Sequence, residues 1–506
     1  MRASLLALLV GAASAAGTAP FVGGYAMLNG PDGLAKAALL AANAATLPVT
    51  RVFFGFFSPT LVYVPGSATL ANTGVNISTA PDGGFAALKA SIATLTTAGV
   101  DVIVSMGGWD YNCFPYAYTR YSVAGYGTNT PNYWKVQEYC GGDINNANAA
   151  NEWCFTCEPP ASNETINNFG IFPEPTYSPT WKAAIAYVAA TAGGAAPVWN
   201  SGIAPGTTWT DPVTSVAAPV PGSSLPASLQ RDPYADFVHL AAEIGATGVD
   251  IDYEEMWHAD LHKSGPAGGP WTLDQTVYKY VAVMKDVSLN IAAIKPSLLF
   301  SSPAGAASGW TGDWWGGNLK GLVLFANQWY PDLIAEVAST GGFNVMTYDL
   351  SDDESHYECP VPTACTLDQQ VAFYMQTYAN ASIPANVGYE TGTPAYPDDV
   401  ENPQHALPLT TALLATITTT TQKSSPGGFF WEMFKQPVVA GEATPTQVAQ
   451  AICNTVLPGS PRCTGVIPTF TPAPPAPRAP TAASSPKLGA CVCVRASARA
   501  RALNDN

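Results

Sequence analysis

Thr247-Gly248-Val249-Asp250-Ile251-Asp252-Tyr253-Glu254 is the stretch that decides how this chain is read. Asp250, Asp252 and Glu254 stand two residues apart. Side chains on a strand alternate between faces, so three acids at that spacing point the same way and rise in steps of about 6.6 Å. Val249, Ile251 and Tyr253 point the other way, as residues covered by helices do. A row of like charges facing an interior is costly, because burial and the neighbouring acids both disfavour ionisation. Chemistry that needs a carboxyl holding its proton repays that cost. An exposed edge strand with solvated acids is one competing reading, and the apolar residues around the row argue against it. A carboxylate site for a hard cation is another, and no second acid cluster of the right kind supports it. We therefore expect no metal and no cofactor.

Working outward, short apolar runs recur at Phe21–Met27, Val52–Phe57 and Val100–Met106 before the acid strand, and at Leu298–Pro303, Phe343–Tyr348, Val387–Tyr389 and Gly428–Trp431 after it. Nearly continuous apolar runs suit strands buried on both faces. Helical spacing lies between them: Phe237, Leu240, Ala241 and Ile244 after Asp232-Pro233; Val277, Tyr280, Val281, Met284 and Val287 within Leu273–Ile294; and again over Leu367–Tyr378. Eight strands alternating with helices predict an α/β fold, a parallel (β/α)8 TIM barrel, with a doubly wound open sheet as the alternative. The interval between the third and fourth strands is too long for one crossover. It predicts a large insertion over about 110–230, bearing Cys113, Cys140, Cys154 and Cys157, with a helix over Thr180–Thr191 whose Trp181, Ile185 and Val188 share a face. Such a loop leaves the end of the barrel where active sites form.

The chain ends are different in kind. Residues 1–17 carry a basic start, a short apolar core from Leu5 to Val10 and small residues to Gly17, the pattern of a signal peptide rather than a membrane span. The barrel is expected over 18–463, a Pro- and Thr-rich linker over 464–486 and a disordered tail over 487–506. Ten cysteines fit a secreted protein. Cys359 with Cys365 and Cys453 with Cys463 look like local staples, and the pairing in the insertion stays open. Asn76, Asn163 and Asn380 begin glycosylation sequons. The net charge of −16 argues against nucleic-acid and anionic-membrane partners. A monomer is the default expectation.

The acid strand resembles that of the family 18 glycoside hydrolases, which carry Asp-Gly-x-Asp-x-Asp-x-Glu on strand four of a (β/α)8 barrel. Gly248, Asp250, Asp252 and Glu254 match, and Thr247 departs from the family's Asp. The family's Ser-x-Gly-Gly on strand three is matched by Ser105-Met106-Gly107-Gly108, followed by Trp109. Its Met-x-Tyr-Asp on strand six is matched by Met346-Thr347-Tyr348-Asp349, and the Trp of its last strand by Trp431. The resemblance spans roughly residues 20 to 455. It implies a secreted chitinase acting on chitin or other N-acetylglucosamine-containing glycans, with retention, by substrate-assisted catalysis. Glu254 would be the general acid and base. Asp252 would orient the substrate's acetamido group, Asp250 would tune Asp252 with support from Ser105, and Tyr348 would donate to the acetamido carbonyl. Asp349 would hold the sugar and Trp431 would floor the −1 site. Gly107, Gly108 and Met346 belong to the matched motifs, while Trp109 and Tyr25, at strand ends, are candidate stacking residues. Trp310, Trp314, Trp315, Tyr389 and Glu390 are further cleft candidates. An endo-β-N-acetylglucosaminidase acting on N-glycans and a chitin-binding lectin on the same fold are the rival readings. Glu254 separates catalysis from the lectin, since such lectins typically lose it.

Overall fold

A computed structural model describes residues 20–59, 61–71, 73–75, 77–108, 114, 179–191, 208–210, 217–219, 232–254, 273–311, 320–348, 350, 367–392, 427–437 and 443–472. Eight parallel strands close a barrel: β1 Val22–Met27, β2 Arg51–Phe57, β3 Asp101–Gly107, β4 Gly248–Asp252, β5 Leu299–Gly305, β6 Gly342–Met346, β7 Ala385–Glu390 and β8 Gly428–Trp431. β8 returns to β1, with Gly24 opposite Phe430, and this closure excludes the open sheet.

Period-two alternation sorts the strand residues into two layers. Val249, Ile251 and Tyr253 pack in the layer between strands and helices. Phe21, Tyr25, Phe53, Phe56, Ile103 and Phe429 fill the barrel interior. Two strands end earlier than expected. β4 stops at Asp252, where its pairing with Gly107 of β3 ends, so Tyr253 and Glu254 lie beyond the ladder. β6 stops at Met346, so Tyr348 leaves it. β5 runs further, to Gly305, because it keeps β6 as a partner up to Met346.

The helices are α1 Gly33–Ala42, α2 Phe85–Thr97, α3 Pro179–Thr191, α4 Pro233–Ile244, α5 Leu273–Ile294, α6 Leu322–Trp329, α7 Pro331–Thr340, α8 Leu367–Asn380 and α9 Pro445–Val456. Local chemistry sets the ends of α4: Asp232 caps Tyr234 N and Ala235 N, Pro233 occupies the first turn and Gly245 stops the helix at φ +86°. α9 starts on a capping box of Thr444 and Gln447.

The helix expected inside the insertion is present as α3. It buries Ala184 and Val188, packs on α5, and accepts a 2.9 Å hydrogen bond from Tyr330 Oη at Val188 O. The side chains of Trp181 and Ile185 lie outside the described residues, as do all four cysteines of the insertion. A short antiparallel ribbon, Thr208–Thr210 with Ala217–Pro219, also belongs to it.

Cys453 and Cys463 form the expected disulfide, with a Cα–Cα distance of 5.2 Å. It presents Arg462 to the carbonyls of Ala44, Leu47, Val49 and Ala98, tying the C-terminal turn to the barrel floor. The barrel keeps hold of more chain than the composition shift at Thr464 suggests. Val466 N donates to Thr46 O, Ile467 is buried and Phe470 packs on Phe434, so the compact unit runs to Phe470. Residues 1–19, Cys359, Cys365 and residues 473–506 lie outside the described residues. Among the described residues, no helix is long and apolar enough to cross a membrane, and no cluster of three or more metal-binding side chains occurs.

Candidate active site

The acid row enters the barrel at mid-height and climbs to its C-terminal mouth. Asp250 is fully buried, and its neighbours in register are Ser105 on β3 and Ser301 on β5. Ser105 Oγ donates to Asp250 Oδ2 at 2.6 Å, Tyr25 Oη to the same atom at 3.1 Å, and Ser301 Oγ to Oδ1 at 2.5 Å. Burial pushes Asp250 up to about 6, against the pull of these three hydroxyls and of the Arg51 charge. Arg51 is itself buried, with its guanidinium 4.0 Å from the Phe21 ring centre and Nη1 donating to Gly341 O at 3.2 Å.

One step up, Asp252 is 3% exposed and shares a hydrogen bond with Glu254. Burial first, then the charges of Glu254 and Asp250, hold Asp252 well above the usual carboxylate range. Two carboxyls joined in this way share a proton and titrate as a set. Asp252 Oδ1 is buried and has no hydrogen-bond partner among the described residues. An unpaired buried acceptor costs about 1–3 kcal/mol, and an N–H donor entering the mouth would satisfy it. Glu254, at the top of the row, is 9% exposed.

Gly107 and Gly108 do more than turn the chain. Gly107 has φ +105°, and a Cβ there would fall 2.2 Å from Asp252 O; Gly108 N donates to that carbonyl at 2.9 Å. The pair lets the end of β3 close on the main chain of the acid strand.

Aromatic residues complete the mouth. Trp431 is half-buried, with its ring 5.7 Å from Phe56 at 23° and 5.8 Å from Tyr25. Tyr348 and Met346 are half-buried against the same interior cluster, and the Tyr348 ring lies 6.4 Å from Phe429. Tyr25 is placed differently from the stacking role expected of it. It is buried, stacked on Phe53 at 4.5 Å, and its hydroxyl serves Asp250, because its strand position is one layer below the mouth. Tyr389 and Trp310 also differ: both pack in the helix-facing layer, Tyr389 by strand parity and Trp310 edge-on to Phe373 of α8. Asp349, Trp109, Trp314 and Trp315 lie outside the described residues.

Ser301, Arg51 and Lys435 were not singled out from sequence. Ser301 carried a signal, a polar residue at inward parity within an apolar run. Arg51 and Lys435 carried none that is local.

Fold and site together define a closed (β/α)8 barrel with a proton-sharing acid row at its mouth. No family model and no curated protein matches the chain. Among solved structures, a family 18 chitinase from Pseudoalteromonas aurantia is 12% identical, with 81% of this chain and 93% of that chain covered and a TM-score of 0.37. A fungal endo-β-N-acetylglucosaminidase of family 18 is 12% identical, with coverage of 87% and 99% and a TM-score of 0.39. A xylanase-A-amylase inhibitor protein is 13% identical, with coverage of 86% and 98% and a TM-score of 0.33. At these scores the likenesses carry no functional argument, and enzymes and an inhibitor stand side by side. The function is therefore argued from this chain's own residues.

Proposed function

We propose that the protein is a secreted, monomeric chitinase that hydrolyses β-1,4-linked N-acetylglucosamine chains with retention. The observation that carries this reading is the Asp252–Glu254 pair: two hydrogen-bonded carboxyls at the mouth, with Asp252 Oδ1 buried and without a partner among the described residues. Glu254 gives its proton to the glycosidic oxygen as the C1–O bond breaks. The substrate's own acetamido oxygen closes on C1, forming an oxazolinium ion. Asp252 accepts the acetamido N–H at Oδ1 and, as positive charge develops, stabilises it. Asp250, held by Ser105, Ser301 and Tyr25, limits how far the row can ionise. Tyr348 donates to the acetamido oxygen, Trp431 lies under the pyranose, and Asp349 helps hold it. Water then adds to C1 and returns a proton to Glu254, and two displacements at one carbon leave its configuration unchanged. Every proton in this scheme moves between side chains, sugar and water.

Net charge disfavours nucleic acid and anionic lipid as partners. Endo-β-N-acetylglucosaminidase action on N-glycans is the second reading, and the presence of Tyr348 within Met346-Thr347-Tyr348-Asp349 ranks it lower. The test is hydrolysis of short N-acetylglucosamine oligomers beside Glu254→Gln, with product anomers read by NMR. We expect β-anomers from the wild type and a loss of about a hundredfold or more in the variant. Inert wild type that still binds the oligomers would establish a lectin.

A further inference from the structure

Glu390 is a buried acid that the proposed reaction leaves unused. It ends β7 on the interior side, its side chain is fully covered, and it stands opposite Trp431 in the β7–β8 ladder. Lys435 Nζ lies 2.5 Å from Glu390 Oε1 and 5.7 Å from the centre of the Trp431 ring. The main chain around this trio is fastened. Thr391 N donates to Trp431 O at 2.7 Å, and Thr391 Oγ1 donates to Glu432 O at 2.9 Å. Gly392, at φ +66°, lets the chain pass Lys435 and Gln436, where a Cβ would meet Lys435 Cβ and Gln436 O at 2.7 Å each.

An ion pair this deep contributes little net stability, and apolar residues of the same volume would fill the space with less desolvation. What an ammonium adds is direction. Glu390 fixes where Nζ sits, and Nζ then acts on the electron-rich face of the indole. Phe56 and Tyr25 contact Trp431 from the interior cluster. Lys435 reaches it from the segment that follows β8.

We propose that Lys435, anchored by Glu390, is a positioning residue that sets the tilt of Trp431 and thereby the affinity of the barrel mouth for a pyranose ring. The inference rests on Trp431 being the sugar platform. It is tested by titrating the N-acetylglucosamine tetramer against full-length Glu254→Gln protein, alone and combined with Lys435→Met, Lys435→Arg or Glu390→Gln. Calorimetry gives Kd, and KM and kcat are measured in the active background. We expect Lys435→Met and Glu390→Gln to raise Kd and KM about tenfold, the scale of a desolvated cation–π contact, with kcat within about twofold. Lys435→Arg should restore most of the affinity. A folded Lys435→Met protein with unchanged Kd overturns the inference, and so does a loss that Arg does not recover. Should Lys435→Met fail to fold, Lys435→Gln makes the same comparison. Binding in the Glu254→Gln background needs no turnover. Lys435-dependent binding by a protein that never hydrolyses would keep this inference and sink the chitinase reading.

Discussion

Two of the groups of buried acids among the described residues behave differently. Asp252 sits in the mouth with Glu254 above it and Asp250 below. Asp286 of α5 sits in the helix layer beside Asp232, the cap of α4. Burial is the first cause of an upward pKa shift at both Asp252 and Asp286. The surroundings separate them. Asn290 Nδ2 donates to Asp286 Oδ1 at 3.1 Å and lies 3.5 Å from Asp232 Oδ2, while Thr180 Oγ1 donates to Asp232 Oδ2 at 3.0 Å. Those contacts join α3, α4 and α5 and close the pair in. Each group keeps one buried acceptor without a partner among the described residues, Asp252 Oδ1 and Asp286 Oδ2, but the mouth row climbs past the end of β4 to Glu254 at the barrel mouth. A shifted acid therefore marks a reactive site only where the geometry gives it an outlet.

The largest effect that would break this contrast is on turnover. Asp252→Asn keeps the shape and removes the charge that steadies the oxazolinium ion, so we expect kcat to fall by about 10²–10³-fold. Asp286→Asn should leave kcat and KM within about twofold, because Asp286 lies on α5 in the helix layer beside the cap of α4. If kcat falls equally in both variants, the distinction between the two groups is lost.

Asp250 provides the next effect, on stability against pH. Its folded pKa of about 6 lies above the ordinary 3.8. Protonation therefore favours the folded state: the contribution is complete below about 4 and is lost as pH rises through about 6. The shift corresponds to about 3 kcal/mol. Denaturant titrations at pH 4 and 7.5 should show Asp250→Asn gaining about that much relative to wild type over the interval. A parallel pH dependence in both proteins would mean that Asp250 does not carry this linkage.

Smaller effects belong to the closed pair. Asp286 is also raised, so its stabilisation fades as pH increases, and Asp286→Asn should gain on wild type as pH rises in the same titrations. Thr180→Val removes one hydrogen bond to Asp232 and should cost about 1 kcal/mol. Protease cleavage near α3 should become faster in that variant, and unchanged cleavage would show that the pair does not hold the helix.

Much of the mouth was legible because its signals are local. Period two put Asp250, Asp252 and Glu254 on one face, and Gly107-Gly108 marked the sharp end of β3. The inward parity of Tyr25 was legible as well, but its depth was not, since the layer a residue occupies depends on strand stagger. Trp310 illustrates the same limit: a large aromatic after a strand can face the cleft or a helix, and here Phe373 and Tyr374 of α8 claim it.

The alternation of strands and helices, the parity of the acid row and the identity of the groups available for proton transfer can all be read along the chain. Each of these follows from side-chain periodicity within one segment. The support of Asp250 by Ser105 was already implied by the resemblance, but it took the folded barrel to bring Ser301, 51 residues from Asp250, to its other oxygen and Lys435 to Glu390. Parallel-strand register is set by closure of the whole barrel and by the crossovers that pack each strand against the next. No single segment contains that information.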